Sequence, residues 1–256
     1  MSNPYSSPSG FDAPPQKYIP QKWARNSVDY SEAFNFAFAN PNYLMNLILL
    51  GIVNIIPVIG PIVVIGYFYD DYILLLREGR PAPSDFKFDR FMAYLQRGVM
   101  PFLAALLVGL VLGMLIAILV VPVMIIGAIV AKQSEELGAL IMGSFQLGMI
   151  PVQIVAGLIV APAVLRVGIS GKFEQISNYQ WALGMVKAVW VHMVIGAIVV
   201  SFTSMIVGGV GLLLCCVGII PAAAYLAYVN FHLQRQWYEI YVTKGGEPIP
   251  VSTESF

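Results

Sequence analysis

Residues 98–131 read GVMPFLAALLVGLVLGMLIAILVVPVMIIGAIVA, 34 residues without one Lys, Arg, Asp or Glu. About 20 apolar helical residues cross the ~30 Å hydrocarbon core of a bilayer, so this run exceeds what one crossing needs. Three further runs lack all four charged types: Ala33–Tyr69, Leu137–Leu165 and Ala188–Gln234. A soluble chain of 256 residues has no core able to bury uncharged runs of 34 and 47 residues. The expected fold class is therefore all-α. It is a polytopic helical membrane protein, with about six membrane-embedded helices arranged as three helical hairpins and amphipathic interfacial helices beside them.

Composition agrees. The chain is 58% hydrophobic and 11% charged, against roughly 25% charged residues in soluble domains. Fourteen basic and fourteen acidic residues cancel, which gives no reason to expect a nucleic-acid partner. Cys215 and Cys216 are adjacent inside an apolar run, a spacing that suits neither a disulfide framework nor a zinc site. Residues 1–20 hold five prolines and four serines and no apolar h-region, so they do not read as a signal peptide. Residues 1–27 are expected to form a disordered polar tail, residues 28–242 the helical transmembrane domain, and residues 243–256 a short polar C-terminal tail.

The runs divide into hairpins. Ala188–Gln234 is too long for one span, and Gly208-Gly209-Val210-Gly211 reads as its turn, giving helices of about 188–207 and 212–233. Helices 100–130 and 137–165 pair across Lys132-Gln133-Ser134-Glu135-Glu136. Pro101, Pro122, Pro151 and Pro162 mark helix starts or kinks. Tyr43–Tyr69 either crosses once or turns back at Pro57-Val58-Ile59-Gly60-Pro61. Lys and Arg accumulate in cytoplasmic loops. With the turn, thirteen basic residues fall on one side and Lys132 alone on the other; with one crossing the split is ten against four. A single crossing also needs the N-terminal tail exported without a signal sequence. The hairpin is favoured, with both termini cytoplasmic and the chain a multi-pass protein of the cell membrane.

A threefold pattern points the same way. Aromatic-rich polar segments Asp29–Phe38, Asp85–Leu95 and Phe173–Trp181 each precede an apolar hairpin. Each hairpin leaves through a basic residue and a glycine, at Arg77-Glu78-Gly79, Arg166-Val167-Gly168 and Lys244-Gly245-Gly246. Similar apolar composition can imitate such a repeat. Phe88, Phe91, Met92, Leu95 and Val99 share one helical face, with Lys87, Asp89, Arg90, Gln96 and Arg97 elsewhere, as in a helix lying in the headgroup plane. Trp23, Trp181, Trp190, Trp237, Tyr43, Tyr67, Tyr179 and Tyr238 fall near run ends, as an interfacial aromatic belt would.

Gly60-Pro61, Gly66-Tyr67, Arg77-Glu78-Gly79 with Pro81 and Pro83, Asp89 and Gly98 together resemble an uncharacterised membrane-protein family, domain of unknown function 4013. His232-Leu233-Gln234-Arg235-Gln236-Trp237-Tyr238 is similar to that family's closing segment, and the resemblance spans roughly residues 29–242. It implies a polytopic helical membrane protein and supplies no activity, ligand or catalytic residue.

Few residues offer chemistry. Asp70 and Asp71 follow an apolar stretch directly; paired carboxylates can share a proton or bind a cation, and a solvated helix edge is the plainer account. His192 and His232 lie near run ends, where an interfacial histidine needs no ligand, and no third group completes a metal site. Gln146 and Gln153 share a helix face and suit a bond to a neighbouring helix. Ala105, Gly109, Gly113 and Ala117 recur every four residues, the register of a close helix-packing face, within the chain or between copies. Phosphate loops, GxSxG, HExxH and CxxC are absent from the sequence. No catalytic, cofactor-binding or metal residue is nominated and no cofactor is expected. The expected role is that of a non-enzymatic integral membrane protein, structural, partner-binding or accessory. Its partners are the lipid bilayer and either another membrane protein or a second copy. The alternative is a transporter or channel for a neutral or lipid-like solute.

Overall fold

The computed structural model describes residues 24–78, 82–213 and 218–251. Among them are seven α-helices and no strand: α1 Tyr30–Asn35, α2 Tyr43–Asn54, α3 Ile59–Glu78, α4 Phe91–Gln133, α5 Glu135–Ser170, α6 Tyr179–Leu213 and α7 Ile219–Thr243. Short 3-10 turns at 37–39, 88–90 and 173–177 precede α2, α4 and α6. Each of the three aromatic lead-in segments thus carries one such turn before a pair of helices. Residues 1–23 of the expected tail, Gly79–Pro81, Cys215, Cys216 and the last five residues lie outside the described residues.

The α4–α5 pair is joined by Ser134 alone. Its hydroxyl accepts from Leu137 N at 3.3 Å, and Glu135 and Glu136 occupy the first turn of α5, where a side-chain cap and negative charge both favour a helix start. The two helices run antiparallel: Gly138 packs on Ala131 and Gly127 on Met142 at the tip, while Arg97 reaches Gly168 at the other end. All four prolines lie inside α4 and α5; they start neither helix.

The Tyr43–Tyr69 run is divided between α2 and α3. α2 ends at Asn54, and Val58 holds a left-handed φ of 64°, a conformation a β-branched residue adopts only under constraint. Gly60 then packs directly on the backbone of Val53 and Asn54.

The expected turn at Gly208–Gly211 is not one. α6 continues through it to Leu213. Glycine weakens a helix in water by about 1 kcal/mol, but breaking a helix in an apolar medium strands several N–H and C=O groups at greater cost. The next described helix, α7, packs back on α6.

The helices form a ring in which α3 packs on α4, α4 on α5, α5 on α6, α6 on α7, α7 on α2 and α2 on α3, with α3 also touching α5 and α7. The closest crossing is α3 on α4. A methyl group on Gly66 would overlap the Tyr94 carbonyl oxygen and lie 2.8 Å from Gly98 N; one on Gly98 would overlap the Ile62 oxygen and lie 2.9 Å from Gly66 N. These two glycines let the backbones meet, as small residues do between membrane helices. The expected small-residue face on α4 is not the counterpart. Among the described residues nothing lies within 4 Å of a methyl placed on Gly109 or Gly113, while Ala105 is half-buried.

Burial is concentrated at one end of the bundle. Between Ala104 of α4 and Pro162 of α5 only Gly127 and Gly138 are buried, and the large side chains between them, such as Leu110, Ile118, Leu140 and Leu147, stand exposed. Helices α4, α5 and α6 are long and apolar enough to cross a membrane, with 6%, 6% and 11% of their most apolar windows buried.

Three expectations at the buried end are revised. Residues 85–95 form no separate interfacial helix: α4 begins at Phe91 and buries Tyr94, Arg97, Gly98 and Pro101, leaving Phe88 and Met92 exposed. The face that meets α3 at Gly66 is centred on Tyr94 and Gly98, and Phe91 and Leu95 of the apolar row pack at its margin. Of the expected aromatic belt, Tyr67, Trp181, Trp237 and Tyr238 are core, while Tyr43, Tyr179 and Trp190 are exposed. The folded unit also extends past both expected ends. Arg25 pairs with Glu239 at 2.6 Å. Beyond Lys244, Gly245 turns the chain at φ 89° and buried Ile249 donates its N–H to Tyr238 Oη at 2.8 Å.

Candidate functional site

The buried end contains most of the charge, and local structure accounts for each group in turn. Asp70 and Asp71 are neighbours on α3 and so point about 100° apart. Asp70 pairs with Arg90 at 3.0 Å, while buried Asp71 accepts from Ser84 N at 2.7 Å and Ser84 Oγ at 2.6 Å. Each carboxylate is thus engaged by a different neighbour. Asp71 fastens the segment between α3 and α4. Tyr67 Oη helps by donating to Ser84 O at 2.6 Å. Asp85 closes the other side, accepting from Asn40 at 2.9 Å and Asn42 at 3.1 Å; the Asn40 bond is the main reason its carboxyl lies below the usual range, followed by the bonds from Asn42 and Asn46, with burial opposing. Arg97 donates from Nη2 to the carbonyls of Gly168 and Ile169 at 3.0 and 3.1 Å, satisfying acceptors that a helix C-terminus leaves open.

His232 is absorbed by a similar network. Gln236 Oε1 accepts from Asp29 N at 2.7 Å and its Nε2 donates to Asp29 O at 2.9 Å. That pairing fixes the amide orientation, so Nε2 is also the donor to His232 Nδ1 at 2.9 Å. The imidazole proton therefore resides on Nε2, which faces Glu32 Oε1 at 3.4 Å. Glu32 also meets Arg25 and, at 3.4 Å, Arg235. The bond from His232 first, and then Arg25, hold the Glu32 carboxyl down at about 2 against the opposing effect of burial. Glu239, fully buried, receives Arg25 at 2.6 Å and Arg235 at 3.2 Å. Two arginines and two glutamates cancel, so the cluster welds the N-terminal segment to α7 and offers no net charge to an ionic ligand. His192 stands apart on α6, half-buried. Among the described residues no group of three or more His, Cys, Asp or Glu side chains is placed to hold a metal ion.

Beside this end lies a cavity of about 480 Å3 between α3, α5, α6 and α7, reached by Ala105 of α4. Its lining is apolar apart from Gln153, Ser201, Asn230 and Gln234, and includes the rings of Tyr69 and Trp237. Local sequence explains the space. Gly157 brings no side chain into it, and Gly196 lets the Trp237 ring lie against α6, where a methyl group would stand 3.3 Å from Trp237 Cε2. Of the residues singled out from sequence, Gln153 and Ala105 face this cavity; Asp70, Asp71, His192, His232, Gly109, Gly113 and Ala117 do not line it. The rest was missed, although Asn230, Gln234 and Trp237 fall at i, i+4 and i+7, one face of a helix. An aromatic at a run end reads as belt, and an amide in an apolar run reads as packing.

A family model described as "Protein of unknown function (DUF4013)" matches residues 49–217. No curated protein and no solved structure matches the chain. The matched span holds Gly60, Gly66 and Gly98, whose backbones meet their neighbours directly, and the whole of α4, α5 and α6. By that match the chain belongs to the DUF4013 family of proteins of unknown function.

Proposed function

We propose that the chain is a non-enzymatic, multi-pass protein of the cell membrane, built as three hairpins (α2–α3, α4–α5 and α6–α7), that works by binding. The observation that carries this reading is the naked α4–α5 arm. Fully burying one Leu or Ile is worth about 1.5–3 kcal/mol, and nineteen large apolar side chains between Leu106 and Ile159 stand exposed; acyl chains are the solvent that removes the cost. The distribution of Lys and Arg favours cytoplasmic termini and an exported α4–α5 tip. The non-enzymatic assignment is supported by the buried acids and His232, whose partners are all structural. A membrane-protein partner or a second copy would cover part of the arm.

The test is twofold. The chain should stay in the pellet after alkaline carbonate and leave it only with detergent. Reporters fused after Gly171 should read cytoplasmic and one at Ser134 exported. Opposite readings at Ser27 and Ser84 would mean that α2–α3 crosses once, and recovery in the carbonate supernatant would remove the reading altogether. A second reading, passage or retention of a neutral lipid-like solute, is favoured by the cavity, and solute flux into proteoliposomes tests it.

A further inference from the structure

Gln146 and Gln153 are amides within the apolar stretch of α5, both exposed, and neither is hydrogen-bonded among the described residues. Hydrocarbon offers an amide neither donor nor acceptor, so the solvent that suits exposed Leu110 or Ile118 leaves these two groups unsatisfied. They belong to a longer row. Ala139, Gly143, Gln146, Ile150, Gln153 and Gly157 follow one another at alternating intervals of four and three residues, and all six are exposed. That spacing is the a/d register in which one helix packs along another. Within the chain, α5 meets α4 through a neighbouring face that carries Gly138 and Met142. Among the described residues nothing lies within 4 Å of a methyl placed on Gly143 or Gly157, which leaves room for a second backbone to approach closely. Gln153 and Gly157 also line the cavity, so a helix seated along the row would cover the cavity's exposed side.

We propose that this row is the interface of a homodimer, in which α5 packs in parallel on α5 of a second copy about a twofold axis along the membrane normal. The inference rests on the membrane reading above and commits to one of the two partners it allows. A carboxamide carries both donor and acceptor, so it is its own complement. Copies inserted in the same orientation set each residue of the row against its own counterpart: Gln146 meets the partner's Gln146, and Gln153 the partner's Gln153. A different protein would need amides at two matching heights, and acyl chains supply none. A polar residue at an a position also fixes register and oligomeric state.

The experiment uses the full chain, labelled in separate batches with donor and acceptor dyes, in phosphatidylcholine liposomes over a range of protein-to-lipid ratios. Energy transfer should report saturable dimers. Gln146→Leu and Gln153→Leu should each weaken dimerisation about three-fold and the double variant about ten-fold, while Gln146→Asn should retain it. Adding Leu147→Gln to Gln146→Leu restores an amide about 100° away around the helix and should not rescue. In a chain carrying Cys215→Ser and Cys216→Ser, Ile150→Cys should give a disulfide-linked dimer on mild oxidation. Val155→Cys, exposed on another face of α5, should not. A chain monomeric at every ratio, a double variant that dimerises as well as the parent, equal crosslinking by Val155→Cys, or association only with another protein would overturn the proposal. Absence of the dimer in a chain that still requires detergent for extraction removes the interface alone; extraction without detergent removes the membrane reading with it.

Discussion

Gly98→Ala adds one methyl group to a 256-residue chain, yet it should be among the most damaging single changes available. The new carbon would overlap the Ile62 carbonyl oxygen and sit 2.9 Å from Gly66 N, where ordinary contact begins at 3.4 Å. Both obstacles are backbone, so no rotamer change relieves them. The α3 and α4 axes must part by about 1 Å, and dispersion across the crossing falls off steeply over that distance. Separation also pulls on the bonds that flank the crossing: Asp70 to Arg90, and Arg97 to the end of α5. Overpacking of this kind costs about 1–3 kcal/mol, occasionally more, and about 2–4 °C of Tm per kcal/mol is expected for a chain of this size. Monodisperse protein remaining after graded heating in detergent measures it. Gly109→Ala and Gly113→Ala, on the same helix with nothing within 4 Å, are the comparison and should change Tm by under about 2 °C. Equal losses for Gly98→Ala and Gly109→Ala would refute the assignment of the contact to Gly66 and Gly98.

Other outcomes follow from the buried end. Glu239→Leu should destabilise by about 3–5 kcal/mol, because Arg25 and Arg235 then lose a fully buried carboxylate; guanidine-free thermal melts in detergent read this. Asp71→Ala should cost about 1–3 kcal/mol by leaving Ser84 N without its acceptor, and limited proteolysis should then cut near Ser84 first. Glu32 has a folded value depressed to about 2 from 4.5. Its contribution is complete above pH 4.5 and fades as pH falls towards 2, so Glu32→Gln should flatten the acid side of the stability profile and lower stability at neutral pH. An unchanged acid limb would count against the Glu32 contacts with His232 and Arg25.

Reading the chain by charge alone found α4, α5 and α6, whose long charge-free stretches make them apolar enough to cross a membrane, but it missed how far α6 and α7 extend into charged sequence. The family match over residues 49–217 agrees with the resemblance read from Gly60, Gly66 and Gly98. Which glycine meets which helix was not legible. Small residues every four positions marked Ala105–Ala117, but such a row is equally content facing acyl chains, and only the position of α3 decides. The same holds for Gly208–Gly211, where turn chemistry from aqueous proteins misleads inside an apolar run. The polar end hid for a different reason. Arg25, Glu32, Arg235 and Glu239 are up to 214 residues apart, and periodicity within one helix says nothing about a partner that distant. The cavity was invisible because it is made of what five helices leave out.

In the proposed membrane setting, the bare arm sets a length that the bilayer would match. α4 leaves the packed bundle after Ala104, while Leu158 and Ala161 of α5 still pack against the core, so residues 105–131 have a free path of roughly 40 Å. The hydrocarbon layer is ~30 Å thick. Leaning by about 40° would reconcile the two, at the upper end of the tilts found for spanning helices. Each added ångström of bilayer would let the pair stand straighter, and the protein should accordingly gather, and hold its shape best, where the membrane is thickest.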